Sequence, residues 1–272
     1  ERLQRLRPHA GQAASASNLR RLMAGSEVVS SHRESAHLVQ DAYSLRCAPQ
    51  VHGATRDVLA FARGVLEVEI GSVSDNPVVF ADDGDVVSGG NFHGQPVATA
   101  LDALAAAVVP LASISERRVY RLLDPSLNNG LPAFLVEESG LNSGYMLVQY
   151  TAASLVSESK SLAHPASVDS IPSSAGQEDH VSMGMTSARH ARSVVANAEI
   201  VVALELLAAA QALDLRGLAP GEGSRAAREA IRDRVPFLEA DRELRIDIDA
   251  AVELVRGGAL LENVERAVGS LD

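Results

Sequence analysis

The chain has few of the residues that mark secreted, metal-binding or nucleic-acid-binding proteins. Its 272 residues include one cysteine (Cys47), one lysine (Lys160), no tryptophan and only 3% aromatic residues. A single cysteine forms no internal disulfide and has no companions at zinc-ligand spacing, so we expect a cytoplasmic protein without a structural metal. The net charge of −11 provides no basic stripe for phosphates, which argues against nucleic acid and anionic membrane surfaces as partners.

Long apolar runs are also missing. The most apolar ones, 103–112 and 200–204, are shorter than the roughly 18 residues of a membrane span, so no membrane segment is predicted. The N-terminus, ERLQRLRPH, has neither an initiator Met nor an apolar signal core, and we expect a truncated or cleaved product. With 46% hydrophobic residues, the chain can still bury a sizeable core.

Apolar residues recur at helical spacing through most of the chain. This pattern predicts long helices over 51–71, 95–123, 141–163 and 187–215, followed by shorter, solvated helices over 224–235, 247–255 and 260–271. The segment 95–123 is apolar on nearly every side, which is typical of a helix buried all round, and Pro110 predicts a kink in it. Two β-branched runs that flank Asp83 and Gly84 predict one tight hairpin.

The expected fold class is all-α: an elongated helical bundle with long, alanine-rich central helices and one small β-hairpin. We divide it into short helices with a substrate-binding loop (1–50), a central bundle with the hairpin at 77–88 (51–219), and peripheral C-terminal helices (220–272). The central helices carry more apolar surface than one chain covers, which predicts a homo-oligomer.

The polar segment QDAYSLR is the first candidate binding site. It places Gln40, Tyr43 and Arg46 three residues apart, so that all three face one substrate if the segment is a helical turn. Arginine offers a planar fork for a carboxylate, tyrosine a hydroxyl and glutamine an amide. The alternative is an arginine in a surface salt bridge beside a tyrosine packed in the core, and the spacing fits both equally.

Two further polar segments precede the helix predicted over 95–123. In SGGNFHG the paired glycines let the backbone approach a ligand or another chain, and Phe92 reads as exposed. The alternative is a helix-entry loop in which Asn91 caps the helix and Phe92 packs against it, which is the preferred interpretation for His93. SDNP is typical of an Asx turn before an extended X-Pro pair, an interpretation that leaves Asn76 open.

The segment GQEDHVSMG is the most informative, because it puts an acid beside a histidine at an apparent helix start. Glu178 has an ordinary explanation there, since acidic residues complement the helix macrodipole. The long polar stretch before it also indicates a cleft at the end of the bundle. In that cleft Glu178 holds an NH-bearing heterocycle, or acts as a general base if desolvation raises its pKa, and Gln177 hydrogen-bonds the same ligand.

Together, these motifs resemble the aromatic amino acid lyase family and, within it, its histidine-specific ammonia-lyases. QDAYSLRC, SDNP, SGGNFHGQP, SERR, LNSGYM, HPASVDSIP and QEDHVSMG stand in the family's order, over roughly 3–268. The resemblance implies elimination of ammonia from L-histidine to give trans-urocanate. It also implies a methylidene-imidazolone electrophile made from an Ala-Ser-Gly tripeptide, and no metal. This sequence contains no Ala-Ser-Gly and matches only the family's C-terminal half, so we expect it to be inactive alone.

The resemblance also implies roles for individual residues. Arg46 pairs with the substrate carboxylate, and Tyr43 and Gln40 line the pocket next to the electrophile. Phe92 lies beside the prosthetic ring. Glu178, with Gln177 beside it, meets the substrate imidazole where phenylalanine-specific relatives carry an uncharged amide, which favours histidine as the substrate. Tyr43 and Glu178 are therefore the expected catalytic residues.

One position departs from the family pattern, since SESK here has Ser159 where many relatives read SENK. The family also implies a homotetramer whose sites combine several subunits, or association with an N-terminal half. Two other functions remain open. One is a lyase or aminomutase acting on another aromatic amino acid, and the other is a non-catalytic assembly fragment.

Overall fold

The computed structural model describes residues 2–33 and 39–272. Within these ranges the chain forms eleven α-helices and one two-stranded antiparallel sheet, which confirms the all-α prediction. The elements are α1 (Arg2–Leu6), α2 (Ala10–Leu22), α3 (Glu27–Ser30), α4 (Tyr43–Arg46), α5 (Ala48–Ile70), β1 (Val78–Phe80), β2 (Asp85–Val87), α6 (Gln95–Leu123), α7 (Met146–Leu162), α8 (Gly184–Arg216), α9 (Glu222–Arg232), α10 (Arg245–Arg256) and α11 (Ala259–Val268).

Helices α6 and α8 form the centre of the fold. They have 29 and 33 residues, which at roughly 1.5 Å per residue makes them about 43 and 50 Å long. Both begin at the same end of the bundle, where Gly94 approaches Ser182 and Gly184. They therefore run parallel, while α5 and α7 run antiparallel to them. Below, "the loop end" means the end of the bundle at which α6 and α8 begin.

Alanines line the contact between these central helices. The fully buried ones include Ala98, Ala100, Ala105 and Ala112 on α6, and Ala198, Ala203 and Ala208 on α8. Small side chains let two helix backbones approach closely, while larger residues such as Leu204 and Leu207 fill the remaining space. The buried alanines thus explain the composition bias of the sequence.

The prediction that α6 is buried all round is wrong for the single chain. Ala106 and Pro110 are exposed, because α5, α7 and α8 surround only part of the helix circumference. Pro110 does not divide the helix. It removes the donor to the carbonyl of Ala106, which is itself an exposed residue of the helix.

A glycine contact fixes the start of α5 against α2. A Cβ at Gly11 would lie 2.2 Å from the carbonyl oxygen of Gly53, and one at Gly53 would lie 2.3 Å from the amide nitrogen of Gln12. No side chain fits at either position, so the two backbones touch here. Asp57 secures the contact by accepting a hydrogen bond from the Gly11 amide at 2.8 Å. Because α4 directly precedes α5, this contact also limits where α4 lies.

Two helices have the length and composition of membrane spans, which the count of continuous apolar residues does not reveal. Windows of α6 and α8 reach mean hydropathies of 1.9 and 1.8. Both are the central helices of the bundle, and the core helix of a soluble protein passes the same test. Asp102 and Glu116 are buried within α6, where Asp102 accepts a hydrogen bond from the Ser167 amide at 2.7 Å.

The C-terminal helices are less peripheral than predicted. Ile231 on α9 and Ala251 on α10 are fully buried in the same core as α8. The buried amide of Gln211 on α8 donates to the carbonyl oxygens of Leu135 and Leu238, and its oxygen accepts from the Leu238 amide. The chain's C-terminal residues also return to α2, where Asn18 donates to the carbonyl oxygen of Asp272 at 2.9 Å. The three-region division of the chain stays a prediction.

Candidate active site

Helix α4 is a single turn that carries two of the predicted site residues. The guanidinium carbon of Arg46 lies 4.5 Å from the centre of the Tyr43 ring, so the two side chains share one side of the turn as their spacing predicts. Tyr43 is 71% exposed, which rules out the alternative of a core tyrosine. The Nε of Arg46 donates to the carbonyl oxygen of Asp41 at 3.0 Å. Gln40 lies before the turn and is exposed.

The Phe92 loop, residues 88–94, is held by the SDNP segment. The Asn76 side-chain oxygen accepts hydrogen bonds from the Ser88 hydroxyl at 3.1 Å and the Gly89 amide at 2.9 Å. Phe92 is 56% exposed and does not pack against the helix end. Gly94, not Asn91, is the residue before α6, and no side chain caps that helix. The loop therefore presents Phe92 to its surroundings instead of closing the helix.

Glu178 does not stand at a helix start. Helix α8 begins at Gly184, after Met183 in the left-handed conformation with φ of 54°. The macrodipole acts only within the first turn, so it does not explain an acid six residues earlier. Instead, Ser173 and Glu178 pair their backbones, and the Ser173 hydroxyl donates to the Glu178 carboxylate at 2.5 Å. Glu178 and Gln177 are both exposed in this segment.

The electrostatics of Glu178 favour a charged carboxylate. Hydrogen bonds from the hydroxyl of Ser173 and then of Ser174 hold the pKa of Glu178 below its ordinary value of 4.5. Desolvation acts in the opposite direction but is the smallest of the three causes, so the net shift of the pKa is downward. This shift is opposite in direction to the one that a general base needs, and the role of Glu178 stays a prediction.

The Phe92 loop and the Glu178 segment are neighbours at the loop end. The Nε2 of His93 donates to the carbonyl oxygen of His180 at 3.1 Å, and the two imidazole rings stack with centres 5.7 Å apart. The Gln95 side chain also donates to the carbonyl oxygen of Ser167 at 3.4 Å. Phe92 and Glu178 thus belong to adjoining loops.

The two groups of candidate residues lie far apart within one chain. Helix α4 packs at the level of Arg118, whereas Phe92 lies just before Gln95 at the start of the same helix. Arg118 and Gln95 are separated by about 35 Å along α6 at roughly 1.5 Å per residue. An amino acid is several times shorter than this. One copy therefore brings together Tyr43 with Arg46, and Phe92 with Glu178, but not all four.

A charged cluster that the sequence patterns did not predict lies beneath α4. The Glu205 carboxylate on α8 forms an ion pair with Arg118 and accepts from the Ser115 hydroxyl at 2.6 Å. Arg118 also donates to the carbonyl oxygen of Ser44 in α4 at 3.3 Å and to His52 Nε2 at 3.4 Å. Ser115 and Arg118 belong to the SERR motif, whose spacing of three residues places them on one face of α6. That spacing is the signal that could have found them.

Two other observations concern the family features. Ser159 is fully buried and its hydroxyl accepts from the Asn197 amide at 3.2 Å, so the residue that departs from the family pattern is held inside the bundle. Among residues 2–33 and 39–272, no three histidine, cysteine or acidic side chains are grouped to hold a metal ion.

A model of the aromatic amino acid lyase family matches residues 1–233. The chain belongs to this family. It is 62% identical over 269 residues to a histidine ammonia-lyase of Gloeobacter violaceus, covering 98% of this chain and 52% of that protein. The crystal structure of histidine ammonia-lyase from Trypanosoma cruzi superimposes with a TM-score of 0.88 at 48% identity, over 98% of this chain and 50% of the other.

Another solved structure has a similar fold with a different reaction in its name. A tyrosine aminomutase from Streptomyces globisporus superimposes with a TM-score of 0.89 at 39% identity, over 98% of this chain and 54% of that one. The chain thus spans about half the length of the curated relatives it matches. The fold is shared between proteins whose names give different reactions, so the fold alone does not choose between those reactions.

Proposed function

We propose that this chain is the C-terminal part of an enzyme that eliminates ammonia from L-histidine to give trans-urocanate. The observation that carries the proposal is the exposed carboxylate of Glu178, in a segment that His93 joins to the Phe92 loop. An ionised carboxylate is suited to a protonated or NH-bearing imidazole and gives no advantage to an uncharged phenyl ring. The identity to histidine ammonia-lyases supports the same substrate.

Arg46 and Tyr43 act on the other half of the substrate. The Arg46 guanidinium pairs with the substrate carboxylate through a planar fork, and Gln40 hydrogen-bonds beside it. The Tyr43 hydroxyl lies on the same side of α4, where it can exchange a proton with the bound amino acid. Because the β-hydrogen of histidine is a weak acid and its amino group a poor leaving group, the reaction needs a positioned base and an electrophile.

The residues present fit the electrophilic group that the family implies. Phe92 of one copy offers an exposed ring face, and Gln40 and Tyr43 of another copy offer exposed polar groups that match a flat heterocycle with carbonyl oxygens. When bound, methylidene-imidazolone turns the amino group into a better leaving group. The tripeptide that forms it is absent from this sequence, so the activity requires a segment supplied by another polypeptide or another part of the protein.

We further propose that each site combines residues from different copies in a homo-oligomer, a tetramer by analogy with the family. The separation of about 35 Å along α6 between the two residue pairs supports this arrangement, since one copy cannot assemble the site. Apolar side chains at the loop end are also uncovered, with Val168 and Met185 each 75% exposed. Burial of such side chains stabilises contacts between copies. We place the assembly in the cytoplasm.

A fusion enzyme tests this function. It joins the N-terminal half of the Gloeobacter violaceus relative, where the family resemblance places the Ala-Ser-Gly tripeptide, to this chain. We expect it to convert L-histidine to urocanate, followed by absorbance and by release of ammonia. A second fusion in which alanine replaces the serine of that tripeptide is the matched control and is expected to be inactive. A folded oligomer that leaves L-histidine unchanged would overturn the proposal.

The same experiment addresses the aminomutase alternative, which the structural similarity to the tyrosine aminomutase favours. The products from L-histidine, L-tyrosine and L-phenylalanine are separated by chromatography. An aminomutase yields a β-amino acid and releases no net ammonia. Our proposal predicts urocanate and ammonia in equal amounts from L-histidine, with no β-amino acid.

A further inference from the structure

Helix α4 is too short to hold its own position. It has four residues, and an isolated helix of that length is unstable in water because nucleation is unfavourable. No side chain caps its start, and its backbone hydrogen bonds run to Ala42 and Tyr43 within the same turn. The placement of Tyr43 and Arg46 therefore depends on what lies beneath the turn.

Beneath α4 is the ion pair between Arg118 and Glu205. Their side chains are 15% and 19% exposed, so both charges are largely removed from water. The guanidinium binds the carboxylate through two nitrogens, with Nη2 to Oε2 at 2.7 Å. Two parallel hydrogen bonds fix the plane of the guanidinium as well as its distance. The Ser115 hydroxyl completes the arrangement by donating to Glu205 at 2.6 Å.

The remaining nitrogen of Arg118 connects this pair to α4. Its Nη1 donates to the carbonyl oxygen of Ser44 at 3.3 Å and lies 3.4 Å from His52 Nε2 on α5. Ser44 is buried and stands between Tyr43 and Arg46 in the turn. One guanidinium thus joins α8, α6, α5 and α4. A change in its orientation moves the backbone that carries Tyr43 and Arg46.

We propose that Arg118 and Glu205 are positioning residues for catalysis, because they orient α4 so that Arg46 meets the substrate carboxylate. This inference rests on the proposed function of Tyr43 and Arg46. Neither member of the pair touches substrate. Their effect passes through the Ser44 carbonyl, so it acts on the recognition of the carboxylate and leaves the recognition of the imidazole unchanged.

The test uses Glu205→Gln in the fusion enzyme. Glutamine has nearly the same size as glutamate but a neutral amide, so the ion pair with Arg118 is lost. We expect kcat/KM for L-histidine to fall on the order of 10²-fold, the effect of a displacement of about 1 Å in a positioned group. Imidazolepropionate, which has a carboxylate, should bind more weakly, whereas histamine, which has none, should bind as it does to the unmodified fusion enzyme.

The ion pair between Asp214 and Arg232 supplies the matched control. Asp214 is also on α8, and its partner Arg232 is on α9 instead of α4. Their side chains are 12% and 15% exposed, respectively. Asp214→Asn should lower thermal stability to a similar extent without changing KM or the ratio of the two inhibitor constants. Glu205→Asp, which restores the charge, should recover part of the lost activity.

The results distinguish a wrong positioning role from a wrong proposed function. If Glu205→Gln and Asp214→Asn have the same kinetics, or if histamine and imidazolepropionate are weakened equally, the positioning role is wrong. If the unmodified fusion enzyme folds but makes no urocanate, the proposed function fails first. Should Glu205→Gln not fold, Ser115→Ala removes only one hydrogen bond from Glu205, and it must still weaken imidazolepropionate more than histamine.

Discussion

The two ends of α6 hold their candidate residues by different physical means. At the α4 end, a largely buried ion pair fixes the backbone beneath Tyr43 and Arg46. At the loop end, exposed segments carry Phe92 and Glu178. They are held by hydrogen bonds that Asn76 accepts and by others that Ser173 and His93 donate. A buried charge is costly when its partner is removed, whereas exposed hydrogen bonds contribute little each. Single substitutions should therefore lower activity and stability more at the α4 end than at the loop end.

The largest effect is expected for Arg46→Ala in the fusion enzyme. Removing one partner of a desolvated charge pair with the substrate carboxylate should lower kcat/KM for L-histidine by on the order of 10²–10³-fold. Steady-state kinetics measure this directly. Arg245→Ala on α10, where the arginine is 82% exposed, is the control and should leave the kinetics unchanged. A loss below about tenfold for Arg46→Ala would remove Arg46 from the carboxylate site.

Glu178→Gln should have the next largest effect, and a selective one. Losing a charge-assisted hydrogen bond should lower kcat/KM for L-histidine by about 10- to 100-fold. The binding of an uncharged aromatic analogue should change far less. Competitive inhibition by cinnamate, compared with that by urocanate, measures the selectivity. The neighbouring Asp179→Asn is the control, and equal losses for both ligands would refute the specificity role of Glu178.

Asn76→Ala sharpens the contrast at the loop end. It removes the acceptor for the Ser88 hydroxyl and the Gly89 amide, which loosens the Phe92 loop. Because these bonds are exposed, we expect a cost of about 1 kcal/mol or less in the free energy of unfolding and a fall of a few-fold in kcat/KM. Asn263→Ala removes a side-chain hydrogen bond within α11 and should leave activity unchanged. Unchanged activity of Asn76→Ala would mean that the loop does not need this anchor.

The smallest effect concerns pH at the α4 end. Burial, and then the charge of Arg118, lower the pKa of His52 from its ordinary value of 6.5. The folded protein therefore keeps His52 neutral, while the unfolded chain binds a proton below pH 6.5. The free energy of unfolding should fall as the pH drops from 6.5 to the lowered pKa.

Urea unfolding of the fusion enzyme at pH 7 and pH 5 measures this dependence. His52→Asn should reduce the difference between the two pH values, and the same substitution at the exposed His164 should not. If His52→Asn leaves the difference unchanged, the proton is not excluded from the folded state at this position.

The long elements of the fold could be predicted from the sequence. Periodicity predicts α6 at its observed bounds and the hairpin around Gly84, whose φ is 74°. The spacing in QDAYSLR predicts that Gln40, Tyr43 and Arg46 point the same way. The ring contact places Tyr43 and Arg46 together, whereas Gln40 lies before the turn. These features depend on local interactions that a few neighbouring residues determine.

Features that depend on distant contacts could not be predicted in the same way. Glu178 reads as a helix start, but the left-handed backbone at Met183 delays α8 until Gly184. The periodicity of the sequence does not predict where α4 packs along α6, so it does not predict the distance between Arg46 and Glu178. The partner of Arg118 lies on α8, far along the chain at Glu205. Tertiary packing decides the last two, and the backbone conformation of a single residue decides the first.

The proposed assembly requires that Arg46 of one copy and Glu178 of another contact the same substrate. Co-expression of two fusion enzymes with different tags, one carrying Arg46→Ala and the other Glu178→Gln, gives hybrid oligomers that are purified through both tags. In randomly mixed oligomers, about one quarter of the sites then combine two intact side chains. We predict that kcat per site in the hybrids rises well above that of either parent, towards this fraction of the unmodified activity. Hybrids no more active than their parents would show that each copy supplies both residues to its own site, and would contradict the claim.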